Sequence, residues 1–147
     1  MMAGVCDPSG FKEKDDSQRR PAVLLVEDTE ENRMVIHAFL RVSGCRLENA
    51  ENGAEAVEKF MNDRFDVVLM DIQMPVMDGF EATRIIRAWE AEYRKGSQVP
   101  IVALTAHAAA QELRKGMDVG CNLILTKPIR KQQLLDAIGQ WIGCGQG

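Results

Sequence analysis

The chain has 147 residues, and 18 Lys and Arg against 22 Asp and Glu give a formal net charge of −4. That length fits one domain with short tails, and 46% hydrophobic residues supply one sizeable core. An acidic chain without a concentrated basic patch is poorly suited to nucleic acid, and neither a signal-peptide apolar region nor a membrane-length run is present.

Residues 1–20 carry Asp7-Pro8-Ser9-Gly10 and then charges of both signs from Lys12 to Arg20; they read as a disordered leader or linker. The folded domain is expected over residues 21–142, with residues 143–147 as a tail. Ala22-Val23-Leu24-Leu25-Val26 is a continuous apolar run, as in a strand buried on both faces. Thr29 can cap a helix to about Val42, with Gly44 as its stop. A second strand is expected over Cys45 to Ala50, and Asn52-Gly53 opens a helix to about Asn62. Phe65 to Met70 reads as the third strand. The third helix places Ala82, Ile85, Ile86 and Trp89 on one apolar stripe. Its Arg84, Arg87 and Arg94 alternate with Glu81, Glu90 and Glu92, which predicts a solvated face. Pro100 to Leu104 is the fourth strand, followed by a helix from about Ala108 to Met117 and Gly120 after it. Asn122 to Thr126 is the fifth and least β-like strand, because Leu dominates it. Lys131 to Ile142 is the fifth helix, with Leu134, Leu135, Ile138 and Trp141 at core spacing.

Five strand–helix alternations predict a single α/β domain with a parallel sheet and helices on both faces. A site in such a sheet lies off the carboxyl ends of the strands, where strand order reverses. Strand one ends in Glu27-Asp28, strand three in Asp71, strand four in Thr105-Ala106 and strand five in Lys127-Pro128. Three carboxylates, a hydroxyl and an ammonium therefore collect on one edge. Crowded carboxylates repel unless a cation is bound, and oxygen-only ligands favour Mg²⁺ or Mn²⁺ over zinc. A lysine and a threonine hydroxyl suit phosphoryl oxygens, and a carboxylate beside them can attack phosphorus to give an acyl phosphate.

In Val26-Glu27-Asp28, Met70-Asp71-Ile72-Gln73-Met74-Pro75, Met77-Asp78-Gly79, Leu104-Thr105-Ala106 and Lys127-Pro128, the chain resembles the receiver domains of two-component response regulators and hybrid histidine kinases. The resemblance covers about Pro21 to Ile142 and implies the flavodoxin-like doubly wound (βα)5 fold. It implies that Asp71 accepts a phosphoryl group from a phosphohistidine on a sensor histidine kinase or histidine phosphotransfer protein. Glu27, Asp28, Asp71 and the Gln73 backbone carbonyl would hold Mg²⁺. Lys127 would pair with the phosphoryl group, Thr105 would swing toward it, and Ala106 would leave room for that motion. Pro128 would follow Lys127 through a cis bond. Gln73 and His107 would flank the path of attacking water and tune phosphoryl lifetime. A weak dimer through the helix 4–strand 5–helix 5 face, a cytoplasmic location, and no nucleic-acid or membrane contact by this chain are expected. On this reading the chain is a signalling module, an enzyme only toward its own phosphorylation and dephosphorylation.

Two positions depart from the pattern. The acidic pair is Glu27-Asp28 where many members have two aspartates. Ile124 stands where members usually carry Tyr or Phe, so the relay from Thr105 to the fourth-helix face is expected to weaken or take another route.

Other features read as ordinary. His37 is a helix residue, Met70, Met74 and Met77 are core or loop positions, and Asp66 and Asp78 are turn or cap residues. Cys6, Cys45, Cys121 and Cys144 form no C-x-x-C pair and read as reduced thiols. A haloacid-dehalogenase-type phosphatase would want an acid where Gln73 stands. A flavin-binding electron carrier would want a hydroxyl-rich phosphate loop where Glu27-Asp28 stand.

Overall fold

The computed structural model describes residues 20–142. The leader, save Arg20, and the tail, with Cys6 and Cys144, lie outside the described residues. In chain order the elements are β1 (Ala22–Val26), α1 (Glu30–Leu40), β2 (Arg46–Ala50), α2 (Gly53–Asn62), β3 (Val67–Asp71), α3 (Gly79–Tyr93), β4 (Ile101–Thr105), α4 (Ala110–Val119), β5 (Leu123–Thr126) and α5 (Lys131–Gly139). The five strands form one parallel sheet in the order β2-β1-β3-β4-β5. This is the flavodoxin-like arrangement, with its reversal between β1 and β3.

Every residue of β1, β3 and β4 is buried, as the continuous apolar runs require. Alternate strand residues serve opposite faces. Leu24, Val68, Met70 and Ala103 pack with Phe60 of α2 and Phe80 and Ile86 of α3. Val23, Leu25, Leu69 and Leu104 pack with Ile36 and Leu40 of α1 and Leu134 and Ile138 of α5. Each such aliphatic side chain contributes on the order of 1.5–3 kcal/mol by leaving water.

Helix starts are written locally. Asn52 Oδ1 accepts from the Glu55 amide at 2.9 Å and Asp78 Oδ1 from the Glu81 amide at 2.9 Å, each satisfying a first-turn donor. Thr29 occupies the N-cap of α1 without a side-chain cap bond. Asp66 Oδ2 accepts from the Ala22 amide at 2.8 Å, tying the start of β1 to the turn before β3.

Several boundaries differ from expectation. α1 stops at Leu40 because Arg41–Ser43 tightens into a 3₁₀ turn ending at Gly44, whose φ is 75°. α4 starts at Ala110, since Ala109 is extended and offers no capping group. α5 ends at Gly139, a poor helix former, and the chain continues as a turn to Ile142. The solvated-face reading of α3 is wrong at two residues. Arg87 and Glu90 are only 11% and 2% exposed as side chains, and pair at 2.7 Å. Arg87 also donates to the Gly120 and Val99 carbonyls and to Asn122 Oδ1, while Glu90 accepts from the Val99 amide. Charge alternation cannot reveal that a neighbouring turn closes over two of the charges.

Candidate functional site at the strand ends

Strand register aligns the predicted residues. Val26 pairs with Met70, Asp71 with Leu104, and Thr105 with Thr126. Glu27, Asp71, Thr105 and Lys127 therefore lie on one edge, across the reversal point. The β3–α3 loop folds back over this edge: the Gly79 amide donates to the Ile72 carbonyl at 3.0 Å, and a Cβ at Gly79 would collide with the Asp71 carbonyl oxygen.

Asp71 and Glu27 are 2% and 1% exposed, and Asp28 is open to solvent. One carboxylate oxygen from each of Glu27, Asp28 and Asp71 lies within 4.8 Å of the others. Lys127 Nζ donates to Asp71 Oδ1 at 2.9 Å and to Glu27 Oε1 at 3.4 Å. Glu27 Oε2 accepts from the Thr29 amide and Asn32 Nδ2, both at 3.2 Å, so the first turn of α1 fixes this carboxylate. Glu27 and Asp71 share one ammonium, and Asp28 adds a third carboxylate beside them. Burial pushes the Asp71 carboxyl up to about 6, and the charges of Glu27 and Asp28 add to that against the opposing pull of Lys127. Burial acts to lower Lys127, but its contacts with Asp71 and Glu27 outweigh that and raise it. An all-oxygen cluster with surplus negative charge fits a hard divalent cation.

Thr105 is fully buried. Its hydroxyl accepts from the His107 amide at 3.0 Å and from Gln73 Nε2 at 3.3 Å, and donates to the His107 carbonyl at 3.3 Å. Gln73 Oε1 accepts from the Ala106 amide at 3.4 Å. The His107 side chain and Ala106 are exposed. The Lys127–Pro128 peptide is cis. Ile124 is half-buried, with its Cδ1 2.6 Å from where a Cβ on Gly116 of α4 would stand. His37 is away from this cluster, 2.8 Å from Asn49 Oδ1. Cys45 and Cys121 are both buried.

Sequence reasoning missed three features. Asn32 reaches Glu27 from the helix, a contact with no motif to announce it. Val76 has φ 71° in a tight turn closed by the Met77 amide on the Pro75 carbonyl at 2.7 Å, and is 82% exposed. A β-branched residue there is strained, and such strain gathers at functional loops. Beside the cluster, Val35, Ile36, Phe39, Pro128 and Ile129 line an open groove of about 400 Å³ that Glu27 and Lys127 border.

Comparison with known proteins agrees with this geometry. Residues 23–139 match the family described as response regulator receiver domain. The sensor protein GacS of Pseudomonas syringae is 46% identical over 127 residues, 86% of this chain but 14% of that protein. The chain thus spans a small part of the curated relatives it matches. The receiver domain of a sensor histidine kinase from Pseudomonas aeruginosa, solved with magnesium coordinated in its active-site cleft, is similar at 39% identity and TM-score 0.75, over 85% of this chain and 99% of that one. A chain from the Saccharomyces cerevisiae complex of the histidine phosphotransfer protein Ypd1 with the receiver domain of Ssk1 is similar at 37% identity and TM-score 0.76, over 83% and 88%.

Proposed function

The chain belongs to the response regulator receiver family, and from that membership we propose that Asp71 is its phosphoacceptor, charged from a phosphohistidine on a partner protein. The observation that carries this is Asp71 Oδ1 held 2.9 Å from Lys127 Nζ inside a three-carboxylate cluster at the sheet's reversal point. The receiver unit is residues 21–142. The roles follow from position. An Asp71 oxygen attacks phosphorus, the P–N bond to the donor imidazole breaks, and that imidazole regains its neutral form by taking a proton. Lys127 stays protonated and faces the phosphoryl oxygens. Glu27, Asp28, Asp71 and the Gln73 carbonyl would hold Mg²⁺, and Mn²⁺ would suit the same oxygens. When bound, the cation supplies the positive charge that offsets the transferring phosphoryl group. Thr105, beside the small Ala106, turns from His107 and Gln73 toward the phosphoryl group.

The partner is a histidine kinase or histidine phosphotransfer protein. That kind of partner matches the Ypd1 complex of the related receiver domain, and the apolar groove formed by Val35, Ile36, Phe39, Pro128 and Ile129 offers it a docking surface bordering Lys127. The chain works as a stand-alone regulator or as the receiver of a hybrid kinase, on the cytoplasmic side where such kinases keep their phosphate donors. No helix among the described residues is long and apolar enough to cross a membrane. A weak dimer would use the α4–β5–α5 face, where Leu113 and Met117 are exposed. Incubation with acetyl phosphate and Mg²⁺ tests the proposal: intact mass should rise by one phosphoryl group in the wild type and not in Asp71→Asn. Equal uptake by both proteins would refute it.

A further inference from the structure

We propose that Gln73 is a positioning residue that clasps the Thr105 hydroxyl in the unphosphorylated protein, and so sets how readily an arriving phosphoryl group recruits it. This deepens the receiver reading and rests on Asp71 being the phosphoacceptor.

A hydroxyl can donate once and accept twice. The Thr105 hydroxyl does all three already: it donates to the His107 carbonyl and accepts from the His107 amide and Gln73 Nε2. Its one proton is committed, and with the residue fully buried no water competes for it. Donating to a phosphoryl oxygen therefore requires the hydroxyl to rotate away from these partners. The His107 contacts come from the same stretch of chain and can move with it. The Gln73 contact comes from a different element, the β3–α3 loop, and cannot. That loop is anchored by the Gly79 amide on the Ile72 carbonyl and the Gly53 amide on the Met77 carbonyl, each at 3.0 Å. Gln73 also accepts from the Ala106 amide at 3.4 Å, so it holds both Thr105 and the residue after it. At 3.3 and 3.4 Å both bonds are at the long, weak end of the range, as a clasp that must open requires.

The clasp favours the resting state, so removing it should favour the state a phosphoryl mimic selects. Gln73→Met keeps length and volume and removes both bonds; Gln73→Leu serves as a second variant. At saturating Mg²⁺, beryllofluoride should bind Gln73→Met roughly three- to tenfold more tightly than wild type. In a Thr105→Val background, which has no hydroxyl to clasp, the same substitution should change affinity by less than about twofold. Unchanged or weaker binding in the Thr105 background would overturn the proposal. So would an equal gain in both backgrounds, which would place the effect of Gln73 on the phosphoryl group itself. A second arm needs no phosphoryl mimic: in the resting protein, Gln73→Met should shift the Thr105 methyl resonance and speed hydrogen exchange at the Ala106 amide. Unmoved signals there would overturn the clasp. Failure of the wild type to bind beryllofluoride would refute the phosphoacceptor assignment, and the resting-state arm would still decide the clasp.

Discussion

Lys127 Nζ lies 2.9 Å from Asp71 Oδ1, although Asp71 ends β3 and Lys127 follows β5, two strands that are not neighbours: β4 separates them. The lysine spans that strand to reach the carboxylate cluster. Lys127→Met should weaken beryllofluoride binding by roughly ten- to hundredfold, the value of one charge-assisted hydrogen bond. Because Lys127 is 27% exposed, the metal-free protein should lose only roughly 1–2 kcal/mol of stability at neutral pH. Isothermal titration and urea unfolding measure the two effects.

The pH dependence has a definite sign. Asp71 is raised from its ordinary 3.8 to about 6 in the folded, metal-free protein. The folded state therefore binds this proton more tightly than the unfolded chain does. Asp71 supports stability below about pH 4 and that support is lost as pH rises through about 6. Mg²⁺ needs the ionised carboxylate, so it competes with the proton. The rise in Tm on adding Mg²⁺ should be large near pH 7.5 and small near pH 5. Equal rises at both would contradict the assignment, and Asp71→Asn should flatten this part of the metal-free profile.

How much of this could be read in advance depends on how local the cause is. Ala22–Val26 is apolar throughout, and its burial on both faces is visible in the letters. The caps at Asn52 and Asp78 are short-range and equally legible. Glu27, Asp71, Thr105 and Lys127 were found because a parallel sheet collects its strand ends. Arg87 and Glu90 were misread because their burial depends on the Gly120–Asn122 turn, distant in sequence. The Gln73 clasp was invisible for the same reason: an exposed loop amide announces no partner. The strain at Val76 has no sequence signal at all.

The Arg87–Glu90 pair ties α3 to the start of β4 and to the turn after α4. Arg87→Met leaves Glu90 buried without its ion partner and should cost about 3 kcal/mol in urea unfolding. It lies at the opposite end of the strands from Asp71, so beryllofluoride affinity should stay within about twofold of wild type. A cost under about 0.5 kcal/mol would show the network to be incidental.

Ile124 rests against the α4 backbone at Gly116, where a Cβ would stand 2.6 Å from Ile124 Cδ1. Gly116→Ala should gain about 1 kcal/mol of helix propensity and lose most of it to this contact. In an Ile124→Ala background the contact is gone, so Gly116→Ala should become more favourable by about 1 kcal/mol. Additivity would contradict the packing. In the wild-type protein, Ile124 should show no large ordered shift between the free and beryllofluoride-bound forms, unlike the aromatic usual at this position.

The most direct test of the central claim is to locate the phosphoryl group. After reaction with acetyl phosphate and Mg²⁺, borohydride reduces an acyl phosphate of aspartate to homoserine, and peptide mass spectrometry then reads the position. Homoserine at Asp71, absent without phosphodonor, is the predicted result. Reduction at Glu27 or Asp28 instead, or at no carboxylate in the chain, would contradict it.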